Sequence, residues 1–327
     1  MRRAVILMNL GGPDAPEAIR PFLYNLFSDP AILRLPPPLR VPLAMLIAWR
    51  RAATARRIYA QLGGVSPLLE NTLAQATALQ AALSENTRCF VAMRYWHPFA
   101  AETVRAVMEY EPDELVLLPL YPQCSTTTTA SSLADWHRAA AAEGFVTPTR
   151  TIRSYPDAPG FIAAVADLVG PYLDRDPVPR LLFSAHGLPL RIVAKGDPYP
   201  DEIARTAHAV VAALPRRRLD WQICYQSRVG PLQWLGPSVE EELHRAGRDG
   251  VAVVVAPISF VSEHSETLVE LDREYRRVAQ RHGVARYERV PTVGTHPDFI
   301  AALAQLVVGE SEEPETEVTT VSTGIAR

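Results

Sequence analysis

Glu263, His264 and Glu266 stand close together in the chain, and Glu270 and Glu274 follow Glu266 at four-residue intervals. Imidazole with carboxylate suits divalent iron or zinc, and either group also accepts a proton at neutral pH. If the stretch after Glu266 is helical, its three acids share one face, where like charges repel by roughly 0.2–0.5 kcal/mol per pair. Solvation beside Arg273, Arg276 and Arg277 accounts for such a face as readily as a bound cation does. A second histidine bears on the choice. His186 follows the apolar run RLLFS, as His264 follows VAVVVA at 251–256, and ligands of parallel sheets bind beyond the carboxyl ends of the strands. A lone histidine there is commonly structural, whereas two such strand ends together with Glu266 make a three-ligand cluster.

These positions need short buried strands behind them. Apolar runs at 4–10, 89–93, 115–120, 180–184, 221–225, 251–256 and 285–290, with a weaker one at 149–153, are strand candidates. They alternate with helical patterns at 15–28, 39–61, 67–84, 99–110, 129–142, 158–173, 200–213, 237–247, 264–281 and 297–307. The alternation predicts an α/β fold of two Rossmann-like domains, each a doubly wound, four-stranded parallel sheet, with an active-site cleft between them. The expected N-terminal domain is 1–160, and the C-terminal domain, 161–309, carries the metal site, its last helix packing back on the first. From 310 to 327 the chain is acidic, then Thr-rich, with no apolar period, as in a disordered tail. Prolines such as Pro13, Pro119, Pro122, Pro189 and Pro257 follow strands or turns and stiffen the loops where a site would lie.

The net charge of -3 gives no general attraction for nucleic acid. Cys89, Cys124 and Cys224 are widely separated and form no CxxC, which fits a reduced, cytoplasmic setting. The start, MRRAVILMNLGG, lacks a small-residue cleavage site and reads as a first buried strand. No stretch reaches the roughly 18 apolar residues of a spanning helix. Residues 33–51, LRLPPPLRVPLAMLIAWRR, set Leu43, Met45, Leu46, Ile47 and Trp49 between Arg40 and the pair Arg50 and Arg51. That pattern suits peripheral contact with the inner face of the cell membrane, or an ordinary amphipathic helix packed on its own domain. An apolar lip over a cleft would serve both. The Asn9 to Pro13 loop lacks the GxGxxG spacing, and no GK[ST] occurs, so a nucleotide cofactor is disfavoured.

Several segments, in order, resemble the ferrochelatase family: NLGGPDAP (9–16), RYWHP (94–98), LYPQCSTTT (120–128), FSAHGLP (183–189), GDPYP (196–200), YQSRVGPLQWLGP (225–237) and PISFVSEHSETLVELDREY (257–275). The likeness runs nearly end to end, and the ordered set is far more specific than any one segment. It implies a lyase that inserts ferrous iron into protoporphyrin IX, giving protohaem and releasing two protons. By that resemblance His186 and Glu266 are catalytic and face each other across the porphyrin. His186 would be the principal base and a metal ligand, Glu266 the opposing ligand, and His264 an assistant at the ring face. Glu263, Glu270 and Glu274 would form a path for metal or protons. The ring walls implied are Leu10, Tyr121, Trp234 and Phe260, and the propionate contacts are Arg51, Tyr59 and Ser66. Residues 125–129 read as caps for the helix that follows.

Family members with a carboxyl-terminal iron-sulfur cluster hold it mainly through tail cysteines. None follows Cys224, so no cluster and no permanently bound cofactor is expected, ferrous iron being a substrate. The Asn9 to Gly12 loop and the long lip resemble the protoporphyrin branch; the coproporphyrin III branch typically has a Tyr near this loop and a sparser lip. A chelatase for another tetrapyrrole or for cobalt is one competing reading, and a non-catalytic haem-binding protein is another. Carrying both His186 and Glu266 favours catalysis, because a carrier needs one axial ligand and no proton-handling pair. The expected assembly is a monomer or weak homodimer.

Overall fold

The computed structural model describes residues 1–215, 218–228 and 230–309. The tail expected at 310–327 lies outside them. In the first half, strands β1 (Arg3–Asn9), β2 (Thr87–Met93), β3 (Glu114–Pro119) and β4 (Thr149–Thr151) form one parallel sheet in the order β2-β1-β3-β4. In the second, β5 (Arg180–His186), β6 (Trp221–Gln226), β7 (Val253–Pro257) and β8 (Tyr287–Arg289) repeat that plan in the order β6-β5-β7-β8. Helices cover both faces of a parallel sheet, which is why β1 and β5 are near-continuous apolar runs, buried from Ala4 to Met8 and from Leu181 to Ala185. In each half the chain runs first to one side of the leading strand and then to the other. The carboxyl ends of β1 and β3, and of β5 and β7, therefore flank a topological switch point, where such sheets bind ligands.

Helices α1 (Ile19–Ser28), α2 (Pro37–Ala60), α3 (Leu68–Ala82), α4 (Ala100–Tyr110) and α5 (Thr129–Ala142) belong to the first half. The second carries α6 (Pro159–Leu173), a short α7 (Leu190–Val193) that sequence periodicity does not show, α8 (Tyr199–Ala213), α9 (Val239–Asp249), α10 (Tyr275–Arg281) and α11 (Pro297–Val308). The single α-helix expected over 264–281 is replaced by a π-helix, Glu266–Glu274, that runs into α10, with the Tyr275 amide bonded to the Glu270 carbonyl five residues back. Such i→i+5 turns are rare and gather at functional sites.

One hydrophobic cluster runs through both sheets, joining Val5, Leu7 and Leu118 to Phe183, Val254 and Phe299. Helix α11 packs on α6 and on α3, and Arg150 Nη1 donates to the Leu306 carbonyl at 2.9 Å. The seam between the halves is also polar. Ser125 and Thr126, expected to cap α5, instead surround the carboxylate of Asp197, which accepts from the Thr126 amide at 2.8 Å and its hydroxyl at 2.7 Å. Helix α5 begins at Thr129 without a side-chain cap. Among the described residues no helix is long and apolar enough to cross a membrane.

Candidate active site

His186 is the last residue of β5 and rises at its carboxyl edge, beside the loop that leaves β7. Its amide donates to Ser259 Oγ at 3.1 Å, which fixes the backbone there. The next residue has to be small. A Cβ on Gly187 would lie 2.7 Å from the Gln226 carbonyl and 3.3 Å from the Trp234 ring, so only glycine lets these segments close around the histidine.

From this edge His186 Nδ1 reaches Glu266 Oε2 at 2.9 Å, and His264 Nε2 approaches the same oxygen at 3.7 Å. Groups on opposite faces of a flat ring stand about 7 Å apart, twice a contact distance of about 3.5 Å. In this structure His186 and Glu266 are in direct contact, closer than groups on opposite faces of a ring would stand. The expected three-ligand cluster is not formed in this structure: among the described residues no group of three or more His, Cys, Asp and Glu side chains is arranged to hold a metal. Both imidazoles point at one carboxylate oxygen instead of converging on a common centre.

The contact with Glu266 defines the tautomer of His186. An ionised carboxylate only accepts, so Nδ1 of His186 carries the hydrogen and Nε2 keeps a lone pair when the ring is neutral. His264 Nδ1 lies 3.2 Å from the Ser262 carbonyl and Nε2 lies 3.7 Å from Glu266 Oε2, so both of its ring nitrogens face acceptors. Phe260 packs against both rings, with centroid distances of 6.3 Å to His186 and 4.7 Å to His264. With 43% of the His186 side chain and 29% of that of Glu266 exposed, the pair is accessible, whereas His264 is buried.

The electrostatics separate neighbouring groups. Burial would lower His186, but the Glu266 carboxylate, its hydrogen bond and the charge of Glu270 outweigh it and raise the imidazole above its ordinary value. Burial would raise Glu266, yet the charge and bond of His186, then those of His264, hold its carboxyl well below the usual range. Glu270 moves the other way, raised by burial and by the Glu266 charge against bonds from Ser227. Carboxyl groups pushed apart in this manner divide into one that gives up its proton more readily and one that holds it more readily.

Glu270 accepts from the Ser227 amide at 2.8 Å and its hydroxyl at 2.6 Å, and from Gln226 Nε2 at 3.2 Å. Ser227 has a left-handed backbone with φ of 59°, so the carboxylate also secures a turn that a non-glycine residue rarely makes. An open depression of about 740 Å³ is lined by Glu270 and Glu274, with Glu274 exposed. Glu266, Glu270 and Glu274 thus form a row leading outward from the histidines. Glu263 is not in it. Its carboxylate is bound by Arg289 Nη1 at 2.8 Å, by the Thr292 amide at 3.0 Å and by Thr267 Oγ1, an ion pair with β8.

Of the other expected residues, Phe260 packs on His186 and Trp234 stands beside Gly187, as described. Leu10 and Tyr121 leave the adjacent carboxyl ends of β1 and β3 in the other sheet. Tyr121 is set 3.4 Å from Ser132 Oγ, its phenol pushed up to about 12 by burial. Gln123 ties that loop to the second half by donating to the Ile258 carbonyl at 3.1 Å. Arg51 is exposed on α2, near the Phe27 ring. Ser66 packs on Gly12, where a Cβ would meet its Oγ at 2.4 Å. Tyr59 is buried and lies toward the chemistry: burial, a bond from Ser265 and the Glu266 charge together leave its hydroxyl at about 12. Sequence reasoning missed Ser259, Gln226, Ser227 and the α3 amides of Asn71 and Gln75. Gln226 and Ser227 fall inside the 225–237 segment, but neither type signals chemistry.

The ferrochelatase family model matches residues 2–311. The chain belongs to the ferrochelatase family. A ferrochelatase of Wolbachia sp. subsp. Drosophila simulans is 51% identical, over 94% of this chain and 99% of that one. A ferrochelatase of Phenylobacterium zucineum is 53% identical, over 94% and 91% of the two chains. Among solved structures, SirB from Bacillus subtilis with Fe3+ covers 94% of each chain at a TM-score of 0.59 and 13% identity, a likeness of fold. The protein is therefore a lyase of haem biosynthesis, with a porphyrin and Fe2+ as its substrates.

Proposed function

We propose that this ferrochelatase acts on protoporphyrin IX, with His186 as the principal base and a ligand to the incoming iron, Glu266 as the second ligand, and His264 as an assistant. The observation that carries this reading is the hydrogen bond from His186 Nδ1 to Glu266. A carboxylate on one imidazole nitrogen fixes the tautomer and makes the other a better base and ligand. Iron here is a substrate that must leave with the ring, so a loose pair of protein donors suits it better than a closed cage. Insertion removes two pyrrole protons. His186 Nε2 takes one when its ring is neutral, and Glu270, with its raised carboxyl, relays protons toward Glu274 and solvent.

The ring walls in this reading are Leu10, Tyr121, Trp234 and Phe260. Arg51 and Ser66 hold propionates, with Tyr59 between that side and Glu266. The exposed Leu39, Met45, Leu46 and Trp49 of α2 form an apolar lip, and with Arg40, Arg50 and Arg51 they suit peripheral contact with an anionic membrane face in the cytoplasm. The division at residue 160, the monomer or weak homodimer, and the lack of an iron-sulfur cluster belong to the same proposal.

The test is anaerobic insertion of ferrous iron, comparing protoporphyrin IX with coproporphyrin III. Faster turnover of protoporphyrin IX is expected; a preference for coproporphyrin III would overturn the substrate choice. His186→Ala should abolish insertion while leaving porphyrin binding intact, and retained activity would remove His186 from its role.

A further inference from the structure

Two of the sequence segments, LYPQCSTTT and GDPYP, meet across the seam between the halves. Residues 123–126 of the first are tied, one after another, to α8 and the turn before it. Gln123 Nε2 donates to Thr206 Oγ1 at 2.9 Å, the Cys124 amide to Glu202 Oε2 at 2.7 Å, and Ser125 Oγ to Asp197 Oδ2 at 3.0 Å, beside the two bonds from Thr126. Asp197 is buried, and its other oxygen, Oδ1, accepts the Tyr199 amide at 3.1 Å. Tyr199 in turn is buried near Ser259 and the His186 backbone. In the first half, the Ser125 carbonyl accepts the Ala130 amide at 3.1 Å, in the first turn of α5, where Ser132 Oγ meets the Tyr121 hydroxyl.

We propose that Asp197 is a positioning residue for the porphyrin: it locks the first-half loop that carries Tyr121 to the second half, and so sets the spacing between that ring wall and the edge of β5 that bears His186. The inference rests on the reading that Tyr121 lines the porphyrin. A carboxylate suits the place because it only accepts, and its two oxygens serve two elements at once, Oδ2 three donors of the first-half loop and Oδ1 the first amide of α8. An asparagine would turn a donor toward one of the two sets. Without the carboxylate Ser125 Oγ keeps Thr127 Oγ1 at 2.9 Å, but the Thr126 and Tyr199 amides lose their acceptor. Buried polar groups do not stay unpaired, so the loop shifts and carries with it the first turn of α5, Ser132 and Tyr121. The iron ligands are spared, because His186 and Glu266 both belong to the second half and are bonded to each other.

The test uses Asp197→Ala, which removes both oxygens, and the milder Asp197→Asn, in the full chain. Anaerobic insertion of ferrous iron into protoporphyrin IX gives KM for each substrate, and hydrogen exchange over residues 120–132 reads the loop directly. In Asp197→Ala that exchange should quicken and KM for the porphyrin should rise about tenfold, while KM for ferrous iron stays within about twofold. Asp197→Asn, which still satisfies one set of donors, should change both readings in the same direction and by less. Added to Tyr121→Ala, Asp197→Ala should raise the porphyrin KM little further. Unchanged exchange or an unchanged porphyrin KM overturns the proposal, as does an equal rise in both KM values, which would mark a general loss of structure. If Asp197→Ala does not fold, the same readings in Asp197→Asn decide. If Tyr121→Ala leaves the porphyrin KM intact, the reading of Tyr121 as a wall fails, while exchange over 120–132 still judges whether Asp197 holds the loop.

Discussion

Glu266→Gln tests the electrostatics most directly. The carboxylate accepts from His186 Nδ1 at 2.9 Å and raises that imidazole above its ordinary 6.5. A hydrogen bond to a charged group contributes about 1.5–3 kcal/mol and a neutral one about 0.5–1.5. The difference is about 1–1.5 kcal/mol, and because 43% of the His186 side chain is exposed, solvent screening selects the lower end. At about 1.36 kcal/mol per pH unit, His186 should fall by somewhat less than one unit in the variant. His186 must be neutral to accept a proton, so activity rises as pH climbs through its folded value, and in Glu266→Gln this limb should move to lower pH. The maximal rate should also drop about a hundredfold or more with the loss of a ligand. Stability has a matching sign. A raised imidazole stabilises the fold fully below about pH 6.5 and loses that contribution as pH rises through the folded value, so this dependence should weaken in the variant. Anaerobic insertion rates from about pH 5 to about pH 8, with NMR titration of His186, measure both effects. A limb that stays in place or moves upward in the variant would refute the coupling.

Three further outcomes follow from the same structure. Asp29 is buried, where burial raises its carboxyl, but Ser131, Arg94 and Tyr95 outweigh that and lower it below 3.8; Asp29→Asn should therefore cost about 3–5 kcal/mol in urea unfolding. In the parent this contribution is present above pH 3.8 and is lost as pH falls through the lower folded value, a loss the variant should lack. Gly187→Ala forces a Cβ to 2.7 Å from the Gln226 carbonyl, so thermal unfolding should register a loss of about 1–3 kcal/mol, and insertion should slow as His186 shifts. Replacing Leu46 and Trp49, 44% and 62% exposed, by Glu should weaken sedimentation with anionic vesicles while leaving insertion into detergent-dispersed porphyrin nearly unchanged; equal vesicle binding would remove α2 from any membrane role.

Local pattern was enough for much of this protein. Runs such as AVILM and LVLL are too apolar and too short for anything but buried strands, and their alternation with helical periods implies two parallel sheets. The types and spacing of Glu266, Glu270 and Glu274 implied an acidic row, and the ordered segments around His186 and Glu266 carried the family. Chain folding decided the rest, because the deciding bonds join residues with no local relation. Glu263 looks like a member of the acidic row until Arg289 on β8 claims it, across 26 residues. Whether His186 and Glu266 stand apart or share a hydrogen depends on β5 and β7 being neighbours. That α3 grips the histidine loop depends on contacts spanning 186 and 192 residues, invisible to any periodicity. Elements follow from short-range sterics and burial; tautomers, shifted acids and the geometry of a site follow from which distant backbone groups are brought within about 3 Å of them.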